Sequence, residues 1–230
     1  MPAQLPLNIR WNDAASLEQF VSGPNGRARA AVEQVLTDPG APAVYLYGPE
    51  GAGKSHLLQA ACRACGKLGQ PSFYLPLAPV ASWAPAMLDG LESMRLVALD
   101  DLHVIAGDRD REEAVFHLFN RLRDAGCGLL MSALARPADL PWLLPDLASR
   151  LSWGLVERLD PLDDEALLKA LRMRAEMRGL DLPEETGRYL LARYPRHSRF
   201  LFSLLERLDR AALAAQRRLT IPFVKSVLDG

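Results

Sequence analysis

Residues 43–58 read AVYLYGPEGAGKSHLL: a short apolar run, a turn with three glycines ending in Lys-Ser, then apolar residues resuming at helical spacing. Gly48-Pro-Glu-Gly-Ala-Gly53-Lys54-Ser55 fits G-x-x-x-x-G-K-[ST], and its place between a predicted strand and a predicted helix separates a phosphate-binding loop from a chance match. Glycines let the backbone curl so that successive N–H groups point inward at phosphate oxygens. The helix that begins near Lys54 adds its N-terminal dipole, Lys54 reaches the outer phosphates, and the Ser55 hydroxyl is a magnesium ligand. The candidate nucleotide contacts here are Gly48, Gly51, Ala52, Gly53, Lys54, Ser55 and His56.

A loop of this kind needs a buried strand to aim it, and the rest of the chain supplies a sheet. Short apolar runs at 43–47, 72–75, 96–99, 129–132 and 155–159 alternate with helical patterns, which predicts a parallel sheet covered by helices on both faces. Leu58, Ala61, Cys65 and Leu68 share one helical face, as do Val115, Leu118, Phe119 and Leu122 before Gly126. The Pro-rich stretch 76–85 reads as loop or as a short helix broken by loop. After Pro161 the character changes. Asp163 and Asp164 cap a helix running to Gly179, another follows Pro183, a third starts at Ser198, and Thr220 with Pro222 opens a last one. The expected organisation is an extended tail (1–12), an α/β nucleotide-binding domain (13–160) and a small all-helical lid (161–230).

Composition narrows the class. The 230 residues are 49% hydrophobic and 24% charged, with 27 Lys+Arg against 28 Asp+Glu, so a nucleic-acid backbone is not the main partner and DNA contact is expected to be indirect. No apolar run approaches the roughly 20 residues that span a bilayer, and a cytoplasmic location is expected. Three cysteines are too few for a disulfide framework. Cys62 and Cys65 form a C-x-x-C well inside a helix, away from the N-terminal dipole that activates a thiol, so packed and inert thiols are expected.

The run Leu96-Val-Ala-Leu99 ends in Asp100-Asp101, which puts two carboxylates at the carboxyl end of a strand, where open α/β sheets bind ligands. Asp100 is the candidate to hold Mg²⁺ through water, beside Ser55. Asp101 stands where a water-orienting or basic carboxylate would act, one methylene shorter than Glu, and slow hydrolysis is expected from it. His56, His103, His117 and His197 have no metal-site spacing, and packing or surface roles are expected of their rings.

These motifs resemble the AAA+ ATPases. LEQFVSGPNGRARAA, DLHVIAGDRDREEAVFHLFNRL and SRLSWGL further resemble the nucleotide-binding domain of the bacterial replication initiator DnaA, over nearly the whole chain. The sequence stops at Gly230, straight after TIPFVKSVLDG, where an initiator continues into a helix-turn-helix. With QLPL near the start, it is similar to the initiator-related regulators that inactivate DnaA. The resemblance implies an AAA+ fold and four further assignments. Arg150 stands at the arginine finger, a guanidinium that reaches the γ-phosphate on a neighbouring subunit. Arg199 matches the sensor-two arginine of the lid. Val21 and Pro24 belong to the segment that flanks the base. Gln4, Leu5, Pro6 and Leu7 resemble the peptide by which proteins dock on the sliding clamp of the replicative polymerase.

Two departures bear on turnover. Leu134 lies where the initiator branch has an acid, so only Ser132 could supply a hydroxyl near sensor one, whereas Lys54 is kept. The resemblance therefore implies an ADP- or ATP-binding regulator with Mg²⁺, partnered by DnaA and by the clamp and able to self-associate. It would promote hydrolysis of the initiator's ATP. A stand-alone AAA+ ATPase that loads or remodels a helicase is the alternative.

Overall fold

The structure is a computed structural model that describes residues 15–78, 83–215 and 217–228. The clamp-like residues Gln4, Leu5, Pro6 and Leu7 lie outside the described residues. Five strands, β1 (Val44–Tyr47), β2 (Ser72–Pro76), β3 (Leu96–Asp100), β4 (Gly128–Ala133) and β5 (Leu155–Arg158), form one sheet in the order β2-β3-β4-β1-β5. Every pairing is parallel: Val44 stands opposite Leu130 on one side and Leu155 on the other, and Leu96 stands between Ser72 and Gly128.

Because side chains alternate along a strand, the register divides the apolar residues between two layers. Tyr45, Val97, Leu99 and Met131 pack with Val115, Leu118, Phe119 and Leu122 of α3 (Arg109–Asp124) and with Leu147 and Leu151 of α4 (Pro145–Leu151). Val44, Leu46, Leu96, Ala98 and Leu130 face the other way, onto α1 (Gly26–Thr37) and α2 (Lys54–Lys67). Cys62 and Cys65 are buried in that second layer, where burial pushes the Cys62 thiol up to about 12, so both are packed and unreactive.

The segment that leads from β4 to α4 is pinned from within. Glu112 in the first turn of α3 is fully buried and accepts from the backbone N–H groups of Gly107 (2.8 Å), Leu143 (3.1 Å) and Leu144 (2.7 Å). Those bonds supply what a buried carboxylate requires, and they fix the entry to α4.

Four helices follow the sheet: α5 (Asp164–Glu176), α6 (Glu184–Arg193), α7 (Ser198–Ala215) and α8 (Ile221–Leu228). Asp163 caps α5 by accepting from Ala166 N (2.8 Å), and Thr220 Oγ1 accepts from Phe223 N at the start of α8 (3.4 Å). A leucine-rich core including Leu167, Leu171, Leu190, Leu201, Leu205 and Leu208 holds them together as a lid with its own interior. Ser198 Oγ donates to Gly51 O (2.6 Å) and ties this lid to the α/β core, while Asn25 and Asp160, at the end of the core, exchange reciprocal bonds, Nδ2 to O (2.9 Å) and N to Oδ1 (2.8 Å). Among the described residues no helix is long and apolar enough to cross a membrane.

Candidate functional site

The Gly-rich loop joins β1 to α2, and its conformation explains its glycines. Gly53, at the N-cap of α2, has φ 99°, and a Cβ there would lie 2.9 Å from Phe20 Cε2; at Gly51 (φ 76°) one would lie 2.7 Å from the His197 ring. Lys54 opens α2 and is 6% exposed, its Nζ donating to Gly48 O (2.7 Å) and Pro49 O (2.9 Å). Burial lowers its pKa while Asp101, Asp100 and Glu50 pull it back up. The ammonium thus hangs over the loop's own carbonyls. Ser55 follows, half-buried, in the first turn.

Asp100 ends β3 with 2% exposure and both oxygens engaged. Its Oδ1 accepts a short bond from Ser132 Oγ, and its Oδ2 accepts from the Tyr74 hydroxyl (2.7 Å), which in turn accepts from Gln59 Nε2 (3.0 Å). A carboxylate has about four lone-pair positions, so two remain for water and Asp100 fits a water-mediated metal contact. Asp101 is the one described non-glycine residue with positive φ (63°), and its backbone N–H donates to Ser132 Oγ (2.9 Å). Burial, then the neighbouring Asp100 charge, raise its carboxyl above the ordinary range. Ser132 therefore stands beside the acid pair, with its hydroxyl committed to both members. No group of three or more His, Cys, Asp or Glu able to hold a metal occurs among the described residues.

A cleft opens between the Gly-rich loop and the lid. Gly51, Ala52, Gly53 and His56 form its floor, Gln19, Phe20 and Val21 one side, and Met173, Arg174, Ser198 and Phe202 of the lid the other. The His56 ring is held by Ser16 O (2.9 Å) and lies 5.8 Å from the Phe20 ring; burial lowers its pKa, so it is neutral at pH 7. Val21 lines the cleft. Pro24 and Arg199 do not: Pro24 is exposed in the 3₁₀ turn before α1, and Arg199 is exposed on α7. Phe20, Met173, Arg174 and Phe202 line the site without any sequence motif to mark them, although Ser198 was visible as a helix start.

Arg150 lies in the last turn of α4. Its guanidinium is 3.9 Å from the Trp153 ring centroid and 5.8 Å from that of Phe116. Among the described residues it forms no ion pair, and its buried Nη1 has no hydrogen-bond partner. Cation–π contact substitutes for a carboxylate. Trp153 is 58% exposed, and Arg123 approaches it at 5.7 Å, so this cationic, aromatic face looks outward and is no part of the chain's own cleft.

Comparison with known proteins finds two family models in sequence along the chain. Residues 11–70 and 86–158 match the bacterial DnaA ATPase domain, and residues 163–228 match the Hda lid domain. Among solved structures, domain III of the Thermotoga maritima replication initiation protein DnaA is similar, with a TM-score of 0.83 at 24% identity over 96% of this chain and 98% of that one. AMPPCP-bound DnaA from Aquifex aeolicus has a TM-score of 0.72 at 24% identity, covering 86% of this chain and 66% of that one. The Thermotoga maritima RuvB Holliday junction branch migration motor has 0.71 at 19%, covering 94% and 71%.

Proposed function

Because the chain belongs to the family of bacterial DnaA ATPase domains and joins that core to an Hda-type lid, we infer that it is a DnaA-related regulator that keeps an adenine nucleotide and acts on another molecule's ATP. ADP is the proposed resident. Turnover by the chain itself is slow, because Asp101 is short, Leu134 replaces an acid and the Ser132 hydroxyl is already bonded to Asp100 and Asp101. Ser55 and Asp100 would hold Mg²⁺, which supplies charge neutralisation for bound phosphates. The Gly-rich loop and Lys54 hold the phosphates, and the apolar cleft takes the base. The AMPPCP-bound DnaA neighbour supports the nucleotide class.

One observation carries the assignment of action in trans. Arg150 has neither a carboxylate partner nor a place in its own cleft, yet it is held at an outward face on Trp153. A planar, permanently charged donor of this kind stabilises the charge that develops on a γ-phosphate brought to it by a partner. The partner proposed is the initiator DnaA in its ATP state. Gln4, Leu5, Pro6 and Leu7 would dock the chain on the sliding clamp, and a DNA-loaded clamp raises the local concentration of a weak contact without direct DNA binding. The result is negative regulation of replication initiation.

The test is phosphate release from ATP-loaded initiator with clamp-loaded DNA. The full chain should accelerate release, and removal of residues 1–8 should abolish the dependence on the clamp. Fast hydrolysis of free Mg²⁺-ATP by the chain alone, unaffected by clamp or tail, would instead identify a stand-alone ATPase.

A further inference from the structure

Arg174 projects from α5 into the nucleotide cleft, with a side chain only 16% exposed. A guanidinium carries five N–H donors. Among the described residues a single acceptor meets them, Glu206 Oε1, at 3.4 Å from Nη2, while the buried Nε has none. The Phe202 ring lies 4.8 Å from the guanidinium carbon, and burial lowers the Arg174 pKa. Leaving charged donors buried and unpaired is expensive, and the lid has carboxylates that could relieve the cost. They go elsewhere: Arg178, one turn on, takes Glu206 at 3.0 Å and Asp209 at 3.0 Å. The better-satisfied arginine is thus the one outside the cleft.

The position within the cleft indicates which part of a ligand would complete the set. Phosphates belong at Gly51 to Lys54, where the charges felt by Lys54 are Asp101, Asp100 and Glu50. Arg174 instead influences His56 and has Met173, Met177 and Phe202 as companions in the cleft wall, the apolar surroundings that suit a base.

We propose that Arg174 is a nucleotide-binding residue that donates to neutral acceptors at the sugar-and-base end of the ligand and so couples occupancy of the cleft to the seating of the lid. This rests on the nucleotide reading of the same cleft.

Titration calorimetry of the full chain with ADP and, separately, with inorganic pyrophosphate tests it. Arg174→Met keeps the apolar stem against Phe202 and removes the donors; it should weaken ADP binding about tenfold or more and leave pyrophosphate binding unchanged. Arg174→Lys should recover part of the loss, and Glu206→Gln, which removes the negative charge beside the guanidinium and keeps an acceptor oxygen, should retain ADP affinity. Unchanged ADP affinity in Arg174→Met with a lowered melting temperature would show a packing role and overturn the proposal. An equal loss for pyrophosphate would overturn the assigned end. Absence of ADP binding by the unsubstituted chain would overturn the nucleotide reading itself, a result distinct from either.

Discussion

Asp101 shows how the site stores strain. A non-glycine residue at φ 63° with a second carboxylate beside it pays in both backbone and charge, and such costs gather where function requires them. Asn is equally at home in the left-handed region and carries no charge. Asp101→Asn should therefore raise the melting temperature of the nucleotide-free protein by about 2–4 °C, the scale of ~1 kcal/mol in a chain of this size, as measured by calorimetry at pH 7. An unchanged or lower value would mean that the acid is stabilised by something other than its present neighbours. The histidines give a second handle. Burial depresses the pKa of His56 and of His103 below 6.5 in the folded state. Between each folded pKa and 6.5 the unfolded chain binds protons that the native one does not, so stability is complete above pH 6.5 and falls as pH drops below it. Urea unfolding at pH 7.5, 6.5 and 5.5 should show the midpoint falling only over the last interval. A midpoint unchanged down to pH 5.5 would contradict this. At this scale the Gly-rich loop and the acid pair were legible, because a glycine turn between strand and helix and a pair of acids at a strand end are local patterns. Tyr74, Phe20 and Arg174 were not, since their roles come from tertiary distances that no local pattern encodes. Arg199, read from a family position, is exposed and follows Ser198, which lines the cleft.

Among the elements, α4 matters most, and its placement depends on Glu112. Three backbone N–H groups, two of them at the entry to α4, end on that one buried carboxylate. Glu112→Ala would leave them without an acceptor, at a cost of about 2–4 kcal/mol in chemical denaturation, and would release the helix that carries Arg150. Stimulated hydrolysis of a partner's ATP should then fall even at temperatures where the variant remains folded. Retention of full stability would show that water or repacking replaces the carboxylate. The strands were read from sequence to within a residue at their ends, because fully buried parallel strands are apolar runs bounded by polar turns. α1 was not read from the sequence, since its buried face is Ala28, Ala31, Val32 and Val35, residues that barely stand out from their surroundings. Glu112 gave none: an acid in the first turn of a helix ordinarily faces solvent and favours the dipole, and only the return of residues 143 and 144 makes it an anchor.

For the whole molecule, the division into an α/β core and a helical lid follows from the change in pattern at Pro161, and the bond from Ser198 to Gly51 ties the two parts beside the cleft. The face that bears Arg150 belongs to neither the cleft nor the lid. The account's central claim is that this guanidinium is offered to a triphosphate on another molecule while the chain's own nucleotide stays in place. The most direct measurement is single-turnover hydrolysis of initiator-bound ATP at saturating concentrations of this protein on clamp-loaded DNA, comparing the unsubstituted chain with Arg150→Ala. Loss of about a thousandfold of the stimulated rate, with ADP affinity of the variant unchanged, is the predicted result. Equal rates from both proteins would contradict it.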